Sequence, residues 1–152
     1  GQEKFSKRIA KNIIKYRKDH IIKNTFELVN IINKSVLVND KNKHNATRSF
    51  QALRIFVNQE LDVLKEVLEK SYEILAPKGR LLLITYHSLE DKVIKDFLIY
   101  NDQYLSAPRK MPIKPDFMKK MFNLIKKIKP SEDEIAFNPR SRSAKLNVLE
   151  KQ

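Results

Sequence analysis

The chain has 152 residues, 41% of them hydrophobic, which suits one folded domain with a modest core rather than a disordered segment. It has no Cys, no secretory leader at its charged front, and no apolar run near the roughly 20 residues a membrane helix needs. This excludes disulfide and thiolate-metal frameworks and sets the expectation of a cytoplasmic chain with no membrane contact. The formal net charge of +13 favours a polyanion such as nucleic acid as partner, although 23 of the 31 basic residues are Lys, a bias that AT-rich coding also produces.

In chain order, residues 4–18 read as a helix with Phe5, Ile9, Ile13 and Ile14 on one face. Thr25 is the expected cap of a second helix carrying Phe26, Leu28, Val29, Ile31 and Ile32. Residues 38–45 read as a polar loop. One long helix then follows, with Phe50, Leu53, Val57, Leu61, Leu64, Leu68 and Leu75 at steps of three, four or seven, stopping at Ala76-Pro77-Lys78-Gly79. Residues 80–86 form a continuous apolar run, the pattern of a strand buried on both faces. Helix, glycine turn and buried strand together make the repeating unit of a parallel α/β sheet. Ser88 is the expected cap of a helix reaching Tyr100, with Ser88 and Asp91 at capping-box spacing. Residues 101–120 read as a Pro-broken basic loop. A strand over 122–128, a short acidic helix over 131–136 and a last strand over 146–149 complete the chain.

Three segments carry candidate chemistry. His87-Ser88-Leu89-Glu90-Asp91 stands at the carboxyl end of the apolar strand, the edge where open α/β sheets bind ligands, so His87 is the candidate catalytic residue. The same residues also serve a helix start, with no substrate role required. Arg48 and Arg54, and Arg140 and Arg142, place four of the eight Arg residues in two short segments rich in Ser, Thr and Asn. Forked guanidinium contacts suit an RNA backbone, and internal salt bridges would use the same residues, so Arg48, Arg54, His87, Ser88, Arg140 and Arg142 are the RNA-binding candidates. Arg109–Lys129 holds eight basic residues against one acidic, with Phe117 and Phe122 available for stacking, and reads equally as a solvated loop. His20, His44 and His87 lack zinc-type spacing, and no metal is expected. Only Gly1 and Gly79 are glycines, and no G-x-G occurs, so no nucleotide-type cradle is expected in this chain.

The run Ala46-Thr47-Arg48-Ser49-Phe50-Gln51-Ala52-Leu53-Arg54-Ile55, with Val57-Asn58-Gln59-Glu60-Leu61, resembles the A-T-R-x-F-Q-A-x-R-I-x-V-N-x-E-L run of the ribosomal RNA small subunit methyltransferase H family. Leu75 to Leu81, His87 to Asp91 and Asn138 to Leu146 are similar to its following blocks, and Gly1 to Lys11 to its G-E-E-x-x-x-x-x-I-A-x segment. The resemblance implies an α/β chain forming the C-terminal part of a Rossmann-like fold that uses S-adenosylmethionine. Residues 1–45 would be the rear of a helical insertion domain, and residues 46–152 the C-terminal part of the methyltransferase domain.

The implied reaction is methylation of a cytidine N4 amine in the decoding region of 16S rRNA. The implied partners are small-subunit rRNA and the N-terminal half of the same enzyme. The family's donor loop, G-x-G-G-H-S, has no counterpart here. S-adenosylmethionine is therefore expected to serve the full-length enzyme and not to bind this chain alone. Asn45 stands where the family usually has Pro, Lys78 for Gly, Tyr86 for Phe and Asn147 for Arg. A sheet lacking its first strands would expose apolar surface, so poor stability or self-association is expected of the isolated chain. A noncatalytic RNA-binding or ribosome-assembly module is the competing reading. Methylation of DNA or another amine is a weaker one, since Phe137-Asn138-Pro139-Arg140 only faintly matches [DN]-P-P-[FY].

Overall fold

The computed structural model describes residues 3–36, 44–100 and 121–152; residues 38–43 of the loop expected over 38–45, and the loop expected over 101–120, lie outside them. The chain forms two compact units, Gly1–Gln59 and Glu60–Gln152. Among the described residues, no helix is long and apolar enough to cross a membrane.

The first unit is helical: α1 (Ser6–Asp19), α2 (Thr25–Ser35) and α3 (Thr47–Asn58). Ile9, Ile32 and Ala46 form its buried centre, with Phe5, Ile13, Leu28, Val29 and Phe50 packed around them. The cap of α2 is Asn24, one residue before the expected Thr25, and its side chain accepts from the Glu27 amide at 3.0 Å. The long helix expected after residue 46 is two helices. Gln59 ends α3 in the left-handed conformation with φ 51°, and α4 (Glu60–Ile74) starts at once. Apolar spacing continues through such a break, so periodicity does not register it.

The second unit is α/β, with a three-stranded antiparallel sheet. It contains α4, β1 (Arg80–Thr85), α5 (Ser88–Tyr100), β2 (Phe122–Ile128), α6 (Glu132–Phe137), a 3-10 turn (Pro139–Ser143) and β3 (Lys145–Lys151). Strand order is β1-β3-β2, and β3 runs antiparallel to both neighbours. β1 and β2 are therefore parallel to each other but never adjacent. The sheet expected to be parallel keeps that sense only across the inserted last strand.

Register assigns the two faces. Leu81 lies opposite Leu149 and Leu83 opposite Asn147, on the face that meets the core of Leu68, Val93, Ile94, Phe97, Phe122 and Leu149. Leu82 lies opposite Val148 and Ile84 opposite Leu146, on the other face. Leu82 is 59% exposed and Ile84 60% exposed. β1 is thus buried on one face only, contrary to the reading of its continuous apolar run. The second face lies open at Leu82 and Ile84, while Leu146 and Val148 on it are half-buried.

The turn from α4 into β1 is held by the end of β3. Lys151 Nζ donates to the Tyr72 carbonyl at 2.6 Å and the Leu75 carbonyl at 2.7 Å, satisfying orphan acceptors at the negative end of α4. A Cβ on Gly79 would sit 2.8 Å from the Ala76 carbonyl oxygen, so glycine is required there for close approach. The left-handed residue is its neighbour, Lys78, at φ 65°. A side chain in that region costs roughly 1 kcal/mol, which glycine does not incur. Lys78→Gly is therefore expected to raise unfolding stability by about 0.5–1 kcal/mol, read from the urea midpoint. No change, or a loss, would show that the turn carries no such strain.

Candidate functional site

Topology brings two distant sequence blocks to one sheet edge. β1 ends at Thr85, which lies opposite Lys145, the first residue of β3. β2 ends at Ile128, opposite Leu146. The carboxyl ends of β1 and β2 and the beginning of β3 therefore share an edge. His87 and Ser88 leave it on one side, and the turn carrying Arg140 and Arg142 enters β3 from it.

His87, rather than Ser88, caps α5. Its Nδ1 accepts from the Glu90 amide at 3.3 Å. Glu90 Oε2 reciprocates, accepting from the amides of His87 at 3.1 Å and Tyr86 at 2.7 Å. This is a capping box with an imidazole in place of a hydroxyl, and the Glu90 carboxylate also favours the positive helix end. Sequence reading missed it because Ser is a common cap and His is not, although the His87–Glu90 spacing was available as a signal.

The cap has a chemical consequence. An Nδ1 that accepts a hydrogen bond leaves the neutral ring's proton on Nε2. Nε2 is buried without a hydrogen-bond partner, and its nearest acidic oxygen in an ion-pair contact is Glu90 Oε1 at 3.5 Å. Glu60, His87 and Glu90 each offer an atom within 4.8 Å of the others, which is metal-ligand spacing. A metal would need the Nε2 lone pair and a proton on Nδ1, where the Glu90 N–H already points. The arrangement therefore suits a donor held between carboxylates better than a cation site, and His87 in this tautomer is a donor rather than a proton acceptor. His87→Ala is expected to cost about 1 kcal/mol of unfolding stability, and His87→Asn to retain most of the cap. Equal losses in both variants, measured by urea denaturation, would remove the capping role.

Asp91 ties the edge together. It accepts from Thr85 Oγ1 at 2.8 Å and pairs with Lys127 Nζ at 3.2 Å and with Lys145 Nζ, so one carboxylate joins β1, β2, β3 and α5. Burial opposes its ionisation, yet the hydrogen bonds from Lys145, Thr85 and Lys127 hold its carboxyl below the ordinary value. Beside it, Asn147 is 1% exposed, and its amide donates to Thr85 Oγ1 at 3.2 Å and the Lys145 carbonyl at 3.3 Å.

The six RNA-binding candidates fall in both units. Arg48 and Arg54 lie on α3, exposed, in the first unit. His87, Ser88, Arg140 and Arg142 gather at the sheet edge of the second. Arg140 and Arg142 are exposed and make no ion pair among the described residues, while the turn itself is fixed by Asn138 Oδ1 accepting from the Arg140 amide at 3.2 Å.

The model of the MraW methylase family matches residues 1–152. The chain is 48% identical over 156 aligned positions to "Ribosomal RNA small subunit methyltransferase H" of Wigglesworthia glossinidia brevipalpis, covering 99% of the chain and 50% of that protein. It is 44% identical to the protein of the same name from Buchnera aphidicola subsp. Schizaphis graminum (strain Sg), covering 99% of the chain and 49% of the relative. The chain thus spans about half the length of the curated relatives it matches.

Proposed function

The chain belongs to the MraW methylase family, and from that premise we propose that it is the C-terminal part of an S-adenosylmethionine-dependent enzyme that methylates a cytidine N4 amine in the decoding region of small-subunit rRNA. In this reading residues 1–45 are the rear of a helical insertion and residues 46–152 the end of a Rossmann-like domain. The enzyme works in the cytoplasm on ribosomal RNA. The observation that carries the reading is the one-sided sheet: Leu82 and Ile84 lie open on a strand whose other face is packed, as a sheet awaiting further cover would leave them.

The chemistry requires two pockets. A cytosine amine is a weak nucleophile because its lone pair is shared with the ring. Rate comes from holding amine, methyl and sulfur in line, with acceptors on the amine hydrogens. This chain's part is to receive the base and RNA backbone. Arg140 and Arg142 supply forked donors for phosphate at the sheet edge, and Arg48 and Arg54 supply them from α3. Glu60 and Glu90 are carboxylates beside His87, whose Nε2 lies 3.5 Å from Glu90 Oε1. S-adenosylmethionine supplies the methyl group when bound. Its cradle needs tight glycine bends, and with Gly1 and Gly79 as the only glycines this chain alone does not bind it.

The test pairs the chain with a separately purified N-terminal half of the Wigglesworthia relative and follows transfer of labelled methyl to 30S particles. Transfer with both halves and none with either supports the reading. Salt-sensitive RNA binding that is unchanged by adding the half, with no transfer, would favour the noncatalytic assembly module instead.

A further inference from the structure

A second surface starts at Ser88 and Asp91, beside His87, and runs along α5 to Ile99. β2 ends the strand order, so its outer edge has no strand partner among the described residues. Between β2 and α5 runs a groove of about 530 Å³. One stripe of α5 (Ser88, Asp91, Lys92, Lys95, Leu98 and Ile99) forms one wall, and Leu124 and Lys127 of β2 with Asn147 of β3 form the other; the Asp91 carboxylate is already paired with Lys127 and Lys145. Ile94 gives it an apolar floor. α5 has 13 residues, so the groove runs along a helix of about 20 Å, the span of some six extended residues.

From this juxtaposition we propose that the free edge of β2, with the groove beneath it, takes an extended acidic peptide segment of a partner protein as a fourth strand. The edge offers unpaired backbone groups, and alternate side chains of an added strand would face the groove, apolar ones over its floor and acidic ones at its lysine rim. Lys92 and Lys95 are exposed on its rim and make no ion pair among the described residues, so the acidic side chains of such a segment meet two unneutralised ammonium groups. A second copy of β2 would bring Lys126 and Lys127 against their like and is disfavoured by repulsion. Residues 101–120 carry five basic residues against two acidic and do not complement the rim either. None of the groove's lining residues is aromatic, which leaves no stacking platform for nucleobases and distinguishes it from a single-strand RNA track. The inference does not depend on the proposed methylation.

The experiment measures fluorescence anisotropy of a labelled ten-residue peptide, Val-Thr-Glu-Thr-Val-Thr-Glu-Thr-Val-Thr, whose Val and Glu share one face, with the full 152-residue chain. The expected result is saturable binding weakened about tenfold or more by K92E with K95E. The same net charge change on α1, K15E with K18E, should leave affinity within about twofold, which separates the site from bulk charge. N-methylation of alternate peptide amides should abolish binding in one register and spare it in the other, because only one set of amides faces the strand. Equal weakening by both lysine pairs, insensitivity to N-methylation in either register, or displacement of the peptide by a ten-nucleotide uridine oligomer would each overturn the proposal.

Discussion

Replacing Asp91 with alanine is expected to lower the unfolding stability of the chain by about 2–3 kcal/mol. The carboxylate is 15% exposed and has three partners, so its removal strands two ammonium groups and takes the shorter of two acceptors from the Thr85 hydroxyl. The lysines are 34% and 42% exposed and can turn to solvent, which keeps the cost below that of breaking a fully buried pair. The effect should depend on pH in one direction. A carboxyl whose folded pKa is depressed contributes its stability above the unfolded value, near 4, and loses it as pH falls through the lower folded value. The gap between wild type and Asp91→Asn should therefore be full at pH 7 and shrink on acidification below about 4. A gap that stays constant from pH 7 to pH 3, or one that grows, would show that the three donors do not act through the charge.

Leu68→Ala should cost more, about 3–4 kcal/mol. Leu68 is fully buried and shares a core with Val93, Ile94, Phe97, Phe122 and Leu149, drawn from α4, α5, β2 and β3. Its loss leaves a cavity where helix and sheet meet, and rigid strands on one side limit collapse into it. The control is Leu82→Ala on the open sheet face, expected to change stability by less than about 0.5 kcal/mol because the side chain is already largely hydrated. Comparable losses at the two positions, measured by urea unfolding, would mean that the second face is packed in solution, and that the one-sided sheet is wrong.

Much of this architecture was legible in the sequence, for identifiable reasons. The strand at 122–128 follows from loose apolar alternation, the strand expected over 146–149 runs over Lys145–Lys151, and the short acidic helix is there, begun by Ser131, whose hydroxyl accepts from the Glu134 amide. α5 was readable from its apolar spacing, but its cap was not, because an imidazole acceptor has no place among the usual N-cap residues. Gln59 was hidden because a left-handed residue between two helices interrupts the backbone without disturbing the apolar pattern. The continuous run Leu81-Leu82-Leu83-Ile84 states that both faces of β1 are apolar, and it cannot state which of them has cover. That residues 87–91 and 138–143 flank one sheet edge depends on the register of β1 against β3, a long-range property that no local pattern carries.

Calorimetric titration of S-adenosylmethionine into the purified polypeptide, alone and then with the relative's N-terminal half, tests most directly whether the donor needs both halves. The account predicts no binding heat in the first titration and a saturable one in the second. Micromolar affinity for the sulfonium donor in the lone polypeptide would contradict it.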